Sequence, residues 1–341
     1  MDCYSLTQFV GFNLVGNTEI FRRVLSTIEH VATCELPVLI QGETGTGKEN
    51  AARAVHYLSK RAKAAFVPVN CGSLTDELIE SELYGHKKGA FTDAKSDLPG
   101  LVEIADGGTL FLDEVDTLSP KAQSSLLRFL QNHEYRSVGG RTIRKVDVRV
   151  VSASNTDFSV AIRERRFRED LFYRLNVLNV FMPPLRERAD DIPLIANSIL
   201  KKFSSQLNGS EKTISPDSIR YLKSQYWRGN VRELENTLLR QAIYSDKNEL
   251  EFESDDDTEP EVNIRSDMTF RDAKAKMVQN FEKDYLKKLL RKTEGNVSEA
   301  ARISGKERRE VGKMLKKYNL DRAQFATSED PKEESKRSLQ V

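Results

Sequence analysis

Gly42-Glu43-Thr44-Gly45-Thr46-Gly47-Lys48 follows a short apolar run, Pro37–Gln41, and precedes a helical pattern over Ala51–Leu58. Glycines at this spacing let the backbone curl until successive N–H groups point at one anion. The helix that follows adds the positive end of its dipole, and Lys48 adds a point charge for terminal phosphates. The chemistry implied is a cradle for a nucleoside triphosphate. A Ser or Thr hydroxyl usually follows the Lys and sits on Mg²⁺; here the residue is Glu49, so the metal must be held another way. A second acidic signature lies downstream. Thr109-Leu110-Phe111-Leu112-Asp113-Glu114 reads as a buried strand that ends in two carboxylates. Asp113 is placed to hold Mg²⁺ directly or through water, and Glu114 to polarise an attacking water as general base.

These groups need a scaffold that brings strand ends together. Short apolar runs at Val38–Ile40, Phe66–Asn70, Thr109–Leu112, Val146–Ala153 and Val177–Phe181 alternate with helical patterns, which predicts a mostly parallel sheet with helices on both faces. Ser119-Pro120 predicts a helix through about Gln131, and Ser215-Pro216 opens another. From about 184 to 247 the pattern is all helical, and Asn230 is expected to cap its last helix with Glu233 three residues on. An acidic stretch follows and reads as a solvated linker. Between residues 264 and 320 sixteen Lys and Arg face eight Asp and Glu, the balance of a nucleic-acid-binding module. The division expected is a lead-in over 1–10, an α/β ATPase unit over 11–180, a helical lid over 181–247, a linker over 248–268, a DNA-binding unit over 269–321 and a disordered tail over 322–341. Net charge is +1, the three cysteines show no paired spacing, and no apolar run or leader pattern suggests a membrane or export. A cytoplasmic protein with free thiols is expected.

The motifs together resemble the central AAA+ domain of the sigma-54-dependent transcription activators, the bacterial enhancer-binding proteins. The residues that carry the resemblance are the phosphate loop with Glu49, Val69-Asn70-Cys71, Glu82-Leu83-Tyr84-Gly85-His86, Gly89-Ala90-Phe91-Thr92, Gly107–Glu114, Phe167–Leu175, Pro184-Leu185-Arg186-Glu187-Arg188 and Gly229–Leu234. The resemblance covers about 11 to 245 and implies a P-loop α/β core with a parallel sheet and a helical lid. It implies that Asn70 restrains Glu114, that Asn155 senses the γ-phosphate, and that Arg232 in the lid is a second sensor. It also implies that Arg168 and Arg174 are arginine fingers reaching a neighbour's ATP, which requires a homo-oligomer: a hexameric ring when active, with a dimer as a resting form. Gly89-Ala90-Phe91-Thr92-Asp93-Ala94 stands where the family's sigma-54 contact loop stands, with Asp93 in place of its Gly.

Residues 269–321 read as three helices with a turn at Gly305, resembling a Fis-type helix-turn-helix. Arg308, Arg309 and Lys313 are candidates for bases or nearby phosphates, and Lys316 and Lys317 for phosphates of double-stranded DNA. Lys306, Glu307, Glu310 and Gly312 depart from the pattern. The function expected is an ATP-hydrolysing activator of sigma-54 RNA polymerase, without a receiver domain before residue 11 and controlled by a separate protein, by abundance or by a domain absent from this chain. Two alternatives stay open: a non-enzymatic DNA-binding regulator, and an AAA+ remodeller of another protein, which Asp93 keeps open.

Overall fold

The computed structural model describes residues 9–73, 76–91, 94–203, 212–245 and 247–252, then 279, 282, 285, 286, 289, 290, 293, 295–318 and 320. The chain divides into two compact units, residues 1–253 and 254–341.

The first unit is built on a five-stranded sheet: β1 (Val38–Gln41), β2 (Phe66–Asn70), β3 (Thr109–Asp113), β4 (Arg149–Ser154) and β5 (Leu178–Phe181). The spatial order is β2-β3-β4-β1-β5, and every pairing is parallel. Successive side chains on a strand face opposite ways. Leu39, Leu110, Leu112 and Val150 therefore join one core with the helices Asp76–Tyr84, Pro120–Asn132 and Glu169–Leu175. Val38, Ile40, Phe111, Val151 and Ala153 join a second core with the helices Glu19–Ala32 and Lys48–Tyr57. Burial on both faces explains why these strands read as continuous apolar runs. The register sets Gln41 opposite Ser154 and Asn70 opposite Asp113, so these carboxyl ends meet along one edge.

Several expectations need correction. β4 begins at Arg149, not Val146. The amides of Val146 and Asp147 donate to the His133 carbonyl and to Asp106 Oδ1, so no ladder partner is available there, although both valines before Arg149 are buried. Phe9, assigned to a lead-in, is fully buried in the second core. Glu249–Leu250, expected to open a solvated linker, pairs in parallel with Thr213–Ile214, and Leu250 is fully buried beside Leu200 and Ala242.

The helical region packs Ile192–Phe203, Pro216–Ser224 and Asn230–Tyr244 around Leu185, Ile195, Leu222, Trp227, Leu234 and Leu238. Ser119 and Ser215 cap their helices with Pro at the first position, as their sequences predict.

In the second unit, helices Val297–Ser304 and Arg308–Lys317 meet across Gly305, which takes a left-handed φ of 64°. Asn296 caps the first of them by accepting from the Ser298 and Glu299 amides. Leu286, Leu290, Ala301, Val311, Leu315 and Tyr318 form the core of this unit. Phe270, Ala273, Met277 and Phe281 lie outside the described residues. Among the described residues no helix is long and apolar enough to cross a membrane.

Leu112 is fully buried at the centre of the first core. Leu112→Ala is expected to cost about 2–5 kcal/mol of stability, read from the shift of the urea unfolding midpoint at unchanged slope.

Candidate functional site

β1 delivers the chain into Gly42–Gly47, and the helix Lys48–Tyr57 leaves it. The carbonyl oxygens of this loop need hydrogen-bond partners. Lys48 Nζ donates to the Gly42 carbonyl at 2.8 Å and to that of Glu43 at 3.1 Å. Thr46 Oγ1 also donates to the Glu43 carbonyl, at 2.8 Å. The last two partners come from the helical region: Asn230 Nδ2 donates to the Thr44 carbonyl at 2.9 Å, and the Val231 amide to that of Gly45 at 3.0 Å. At Gly45, φ is +79° and an added Cβ would collide with the Gly229 carbonyl, so this approach requires glycine.

Asp113 and Glu114 close the other side. Asp113 Oδ1 accepts the Glu114 amide at 3.0 Å. Burial raises the Asp113 carboxyl above its ordinary range, with the charges of Lys48 and Arg232 acting the other way. Burial lowers the Lys48 ammonium, which Asp113, Asp116 and Glu114 counteract. Glu114 sits at φ 54°, ψ 42°, a left-handed conformation that is rare for a residue with a side chain. Its carboxylate lies where a Cβ on Gly72 would be. Asn70 Oδ1 accepts the Gly72 and Ser73 amides, and among the described residues it makes no hydrogen bond to Glu114. Asn155 Nδ2 donates to Thr44 Oγ1 at 3.1 Å, bringing the end of β4 onto the loop. Lys48, Asn70, Asp113, Glu114, Asn155 and Arg232 all line one cavity of about 390 Å³, with Thr44–Glu49.

Glu43 turns away from the anion cradle. Its carboxylate takes both terminal nitrogens of Arg186, at 2.7 and 2.6 Å, and Asn230 Nδ2 at 3.3 Å. Arg186 also lies 4.8 Å over the Tyr226 ring. Asn230 is fully buried, and its Oδ1 accepts the Leu185 amide at 2.7 Å. Sequence reading made Asn230 the cap of its helix. Instead it has φ 51°, Gly229 takes the cap position, and the Gly229 amide donates to Glu233 Oε2. The signal available in sequence was the carboxylate of Glu43 itself, misplaced beside phosphates unless a cation neutralises it.

Arg168 and Arg174 do not line the cavity. Arg168 pairs with Asp170 and donates to Ser124 Oγ, while Arg174 donates to the carbonyls of Leu130 and Gln131. Glu49 pairs with Arg53 one turn on. In the loop after Gly85, the Gly89 amide donates to the Ala94 carbonyl and the Lys87 amide to that of Val138. Phe91 is 39 % exposed, with its ring 4.9 Å from His86. Thr92 and Asp93 lie outside the described residues. Lys87 pairs with Asp97, which also takes the Lys88 amide and is held against the loop.

In the second unit Arg308, Arg309, Lys313, Lys316 and Lys317 are all exposed along one short helix. Lys317, read as a phosphate contact, also pairs with Glu282, whose carboxylate accepts the Tyr318 hydroxyl as well.

Residues 14–181 match the family model described as sigma-54 interaction domain, 186–257 that of the AAA+ ATPase lid domain, and 278–318 that of bacterial regulatory protein, Fis family. The chain is 39 % identical over 324 residues to the regulatory protein AtoC of Escherichia coli K12, covering 93 % of this chain and 70 % of that one. It is 40 % identical over 322 residues to the phenol regulator MopR of Acinetobacter guillouiae, covering 92 % of this chain and 58 % of that protein. It spans 42 % of the Nif-specific regulatory protein of Herbaspirillum seropedicae, at 46 % identity over 230 residues and 67 % of this chain. The crystal structure of NtrX from Brucella abortus in complex with ATP is similar, with TM-score 0.64 and 33 % identity, covering 89 % of this chain and 68 % of that one.

The Glu43–Arg186 pair is half open to solvent, so its expected coupling is modest, roughly 0.5–1 kcal/mol in a double-mutant cycle of Glu43→Gln and Arg186→Met at neutral pH. The hydrogen bonds from Arg186 hold the Glu43 carboxyl below its ordinary value. A depressed carboxyl adds stability above its unfolded-state pKa, and this is lost as pH falls through the folded-state one. Urea unfolding should therefore show the coupling shrinking as the medium is acidified below the usual glutamate range.

Proposed function

The chain belongs to the sigma-54-dependent transcription activators, and from that membership we propose that it hydrolyses ATP as a ring of identical subunits to remodel sigma-54 RNA polymerase while its second unit holds an upstream DNA site. The observation that carries this reading is the convergence of Lys48, Asp113, Glu114, Asn155 and Arg232 on one cavity at the carboxyl edge of the sheet. Lys48 and the loop amides take the β- and γ-phosphates. Glu114 orients and deprotonates the attacking water, Asn155 contacts the γ-phosphate, and Arg232 brings a positive charge from the lid. Among the described residues no group of three or more His, Cys, Asp and Glu forms a metal cage. This fits Mg²⁺, which usually takes one or two carboxylates and completes its shell with phosphates and water. Asp113, whose Oδ1 takes the Glu114 amide, would hold the ion there, and the ion would neutralise charge on the phosphate oxygens.

Phosphoryl transfer gains most from positive charge at the transferring group. Arg168 and Arg174 lie outside their own cavity, which supports a role at the ATP of a neighbour, for which a closed ring is the natural geometry. Phe91 at the tip of its loop supports contact with sigma-54, since an exposed aromatic gains from a partner. The five exposed basic residues of Arg308–Lys317 support entry of that helix into the major groove.

Lys48→Ala is expected to abolish ATP binding, and Glu114→Gln to keep binding while losing about 100-fold or more in turnover. Mixing Lys48→Ala with Arg168→Ala chains should restore part of the turnover, read by phosphate release. Native turnover by Glu114→Gln would remove the assigned base, and no recovery on mixing would count against trans-acting arginines.

Phe91→Ala is expected to keep ATP turnover and lose trapping of sigma-54 in the presence of an ATP transition-state analogue. Trapping that persists in Phe91→Ala would assign the contact to another surface. Failure of the native chain to trap sigma-54 while hydrolysing ATP would favour remodelling of a different protein.

A further inference from the structure

Arg188 has no ordinary reason to be buried. It is 3 % exposed, and among the described residues it makes no ion pair or hydrogen bond with any group. Its Nε is sealed from solvent without an acceptor. Asp191, a buried carboxylate three residues on, acts on it through its charge, but its oxygens are already occupied: Oδ1 takes the Asn17 and Thr18 amides at 2.6 and 2.9 Å, and Oδ2 takes the Thr18 hydroxyl at 2.7 Å. The guanidinium instead lies 4.1 Å over the ring of Phe21, itself buried. Burial lowers its pKa to about 10, leaving it a cation at neutral pH. Arg149, the other large buried arginine, differs in that it donates to the carbonyls of Val31 and Ala32.

A buried cation without a hydrogen-bonded partner is costly, even with the nearby charge of Asp191 favouring it. Here it also depends on a local distortion, since Arg188 breaks its 3₁₀ segment with φ −132° and ψ 42°. The side chain lines the same cavity as the phosphate loop. The lining carries the apolar Leu14, Val15, Phe21, Ile195 and Ile199 beside the polar Asn13, Ser198 and Lys202, while Lys48 and Arg232 provide cations for the phosphates. A cavity with apolar side chains and one planar donor without an acceptor suits a flat heteroaromatic ring with acceptor nitrogens.

We propose that Arg188 is a specificity residue that donates hydrogen bonds to the acceptor nitrogens on the edge of the nucleotide's base, with Phe21 backing its guanidinium. The proposal rests on the nucleotide reading of this cavity and adds the group that tells one base from another. The terminal nitrogens of Arg188 then find their acceptors on the ligand, and part of the cost of burying the cation is recovered when the ligand is bound. A site built to hydrogen-bond a ligand strongly disfavours an analogue lacking the matching atom.

The test is calorimetric binding to the full chain, native and Arg188→Met, using ATP, inorganic tripolyphosphate, and three deaza analogues of ATP that each lack one ring acceptor, N1, N3 or N7. Arg188→Met should bind ATP about tenfold or more weaker and bind tripolyphosphate as the native chain does. The native chain should discriminate against at least one deaza analogue, and Arg188→Met should bind that analogue and ATP alike. Without nucleotide, the melting temperature of Arg188→Met should equal or exceed that of the native chain, since an unpaired buried charge has been removed. Equal loss of ATP and tripolyphosphate binding would assign Arg188 to the phosphates and overturn the proposal. So would native-like ATP binding by Arg188→Met, or a native chain blind to all three analogues, or a fall in melting temperature with ATP affinity unchanged. A native chain that binds no ATP would instead overturn the nucleotide reading, and this proposal with it.

Discussion

The phosphate loop is held by hydrogen bonds to its own carbonyl oxygens, and in this molecule the lid supplies two of the donors. Four consecutive carbonyls, Gly42 to Gly45, all have partners. Two of those partners, Asn230 and Val231, stand at the first turn of one lid helix. The loop depends on that helix for its shape, and a shift of the helix would take the donors away from the Thr44 and Gly45 carbonyls. Glu43 and Arg186 add a charged contact across the same seam. Sheet, loop and lid thus behave as one mechanical unit around the cavity.

The sheet supplies the other half of the geometry. Parallel strands in register bring Gln41, Asn70, Asp113 and Ser154 to one edge, and each continues into a residue or turn of the site. Ligand sites of open parallel sheets lie outside the carboxyl ends of their strands. Two faces of apolar packing hold the edge rigid, and the alternation of Leu110, Phe111 and Leu112 between the two cores shows how few residues each strand needs for this.

What was legible in sequence follows from range. The phosphate loop, the acidic end of β3, the Ser-Pro caps, Asn296 and Gly305 are local signals, each written within a few residues, and the structure forms them there. The contacts between loop and lid span about 140 to 190 residues of chain, and nothing in the neighbourhood of Asn230 distinguishes a buried bridge from a helix cap. Arg186 and Arg188, two residues apart, point to different tasks only because the backbone kinks at Arg188. The late start of β4 has the same origin: Val146 and Val148 have the right residue type, but the neighbouring backbone is already engaged elsewhere. Arg168 and Arg174 could be placed by family pattern, while their position outside the cavity became visible only in three dimensions.

Glu114 carries a conflict between backbone and side chain. Its left-handed conformation costs a residue with a Cβ about 1–2 kcal/mol, a cost that glycine does not carry and asparagine carries less. The carboxylate can be placed over Gly72 from this position only by accepting that strain. Laboratory evolution of this chain for heat resistance alone would therefore favour Gly or Asn at residue 114. A stabilised lineage could lose the carboxylate early while every strand and helix of the fold improved around it.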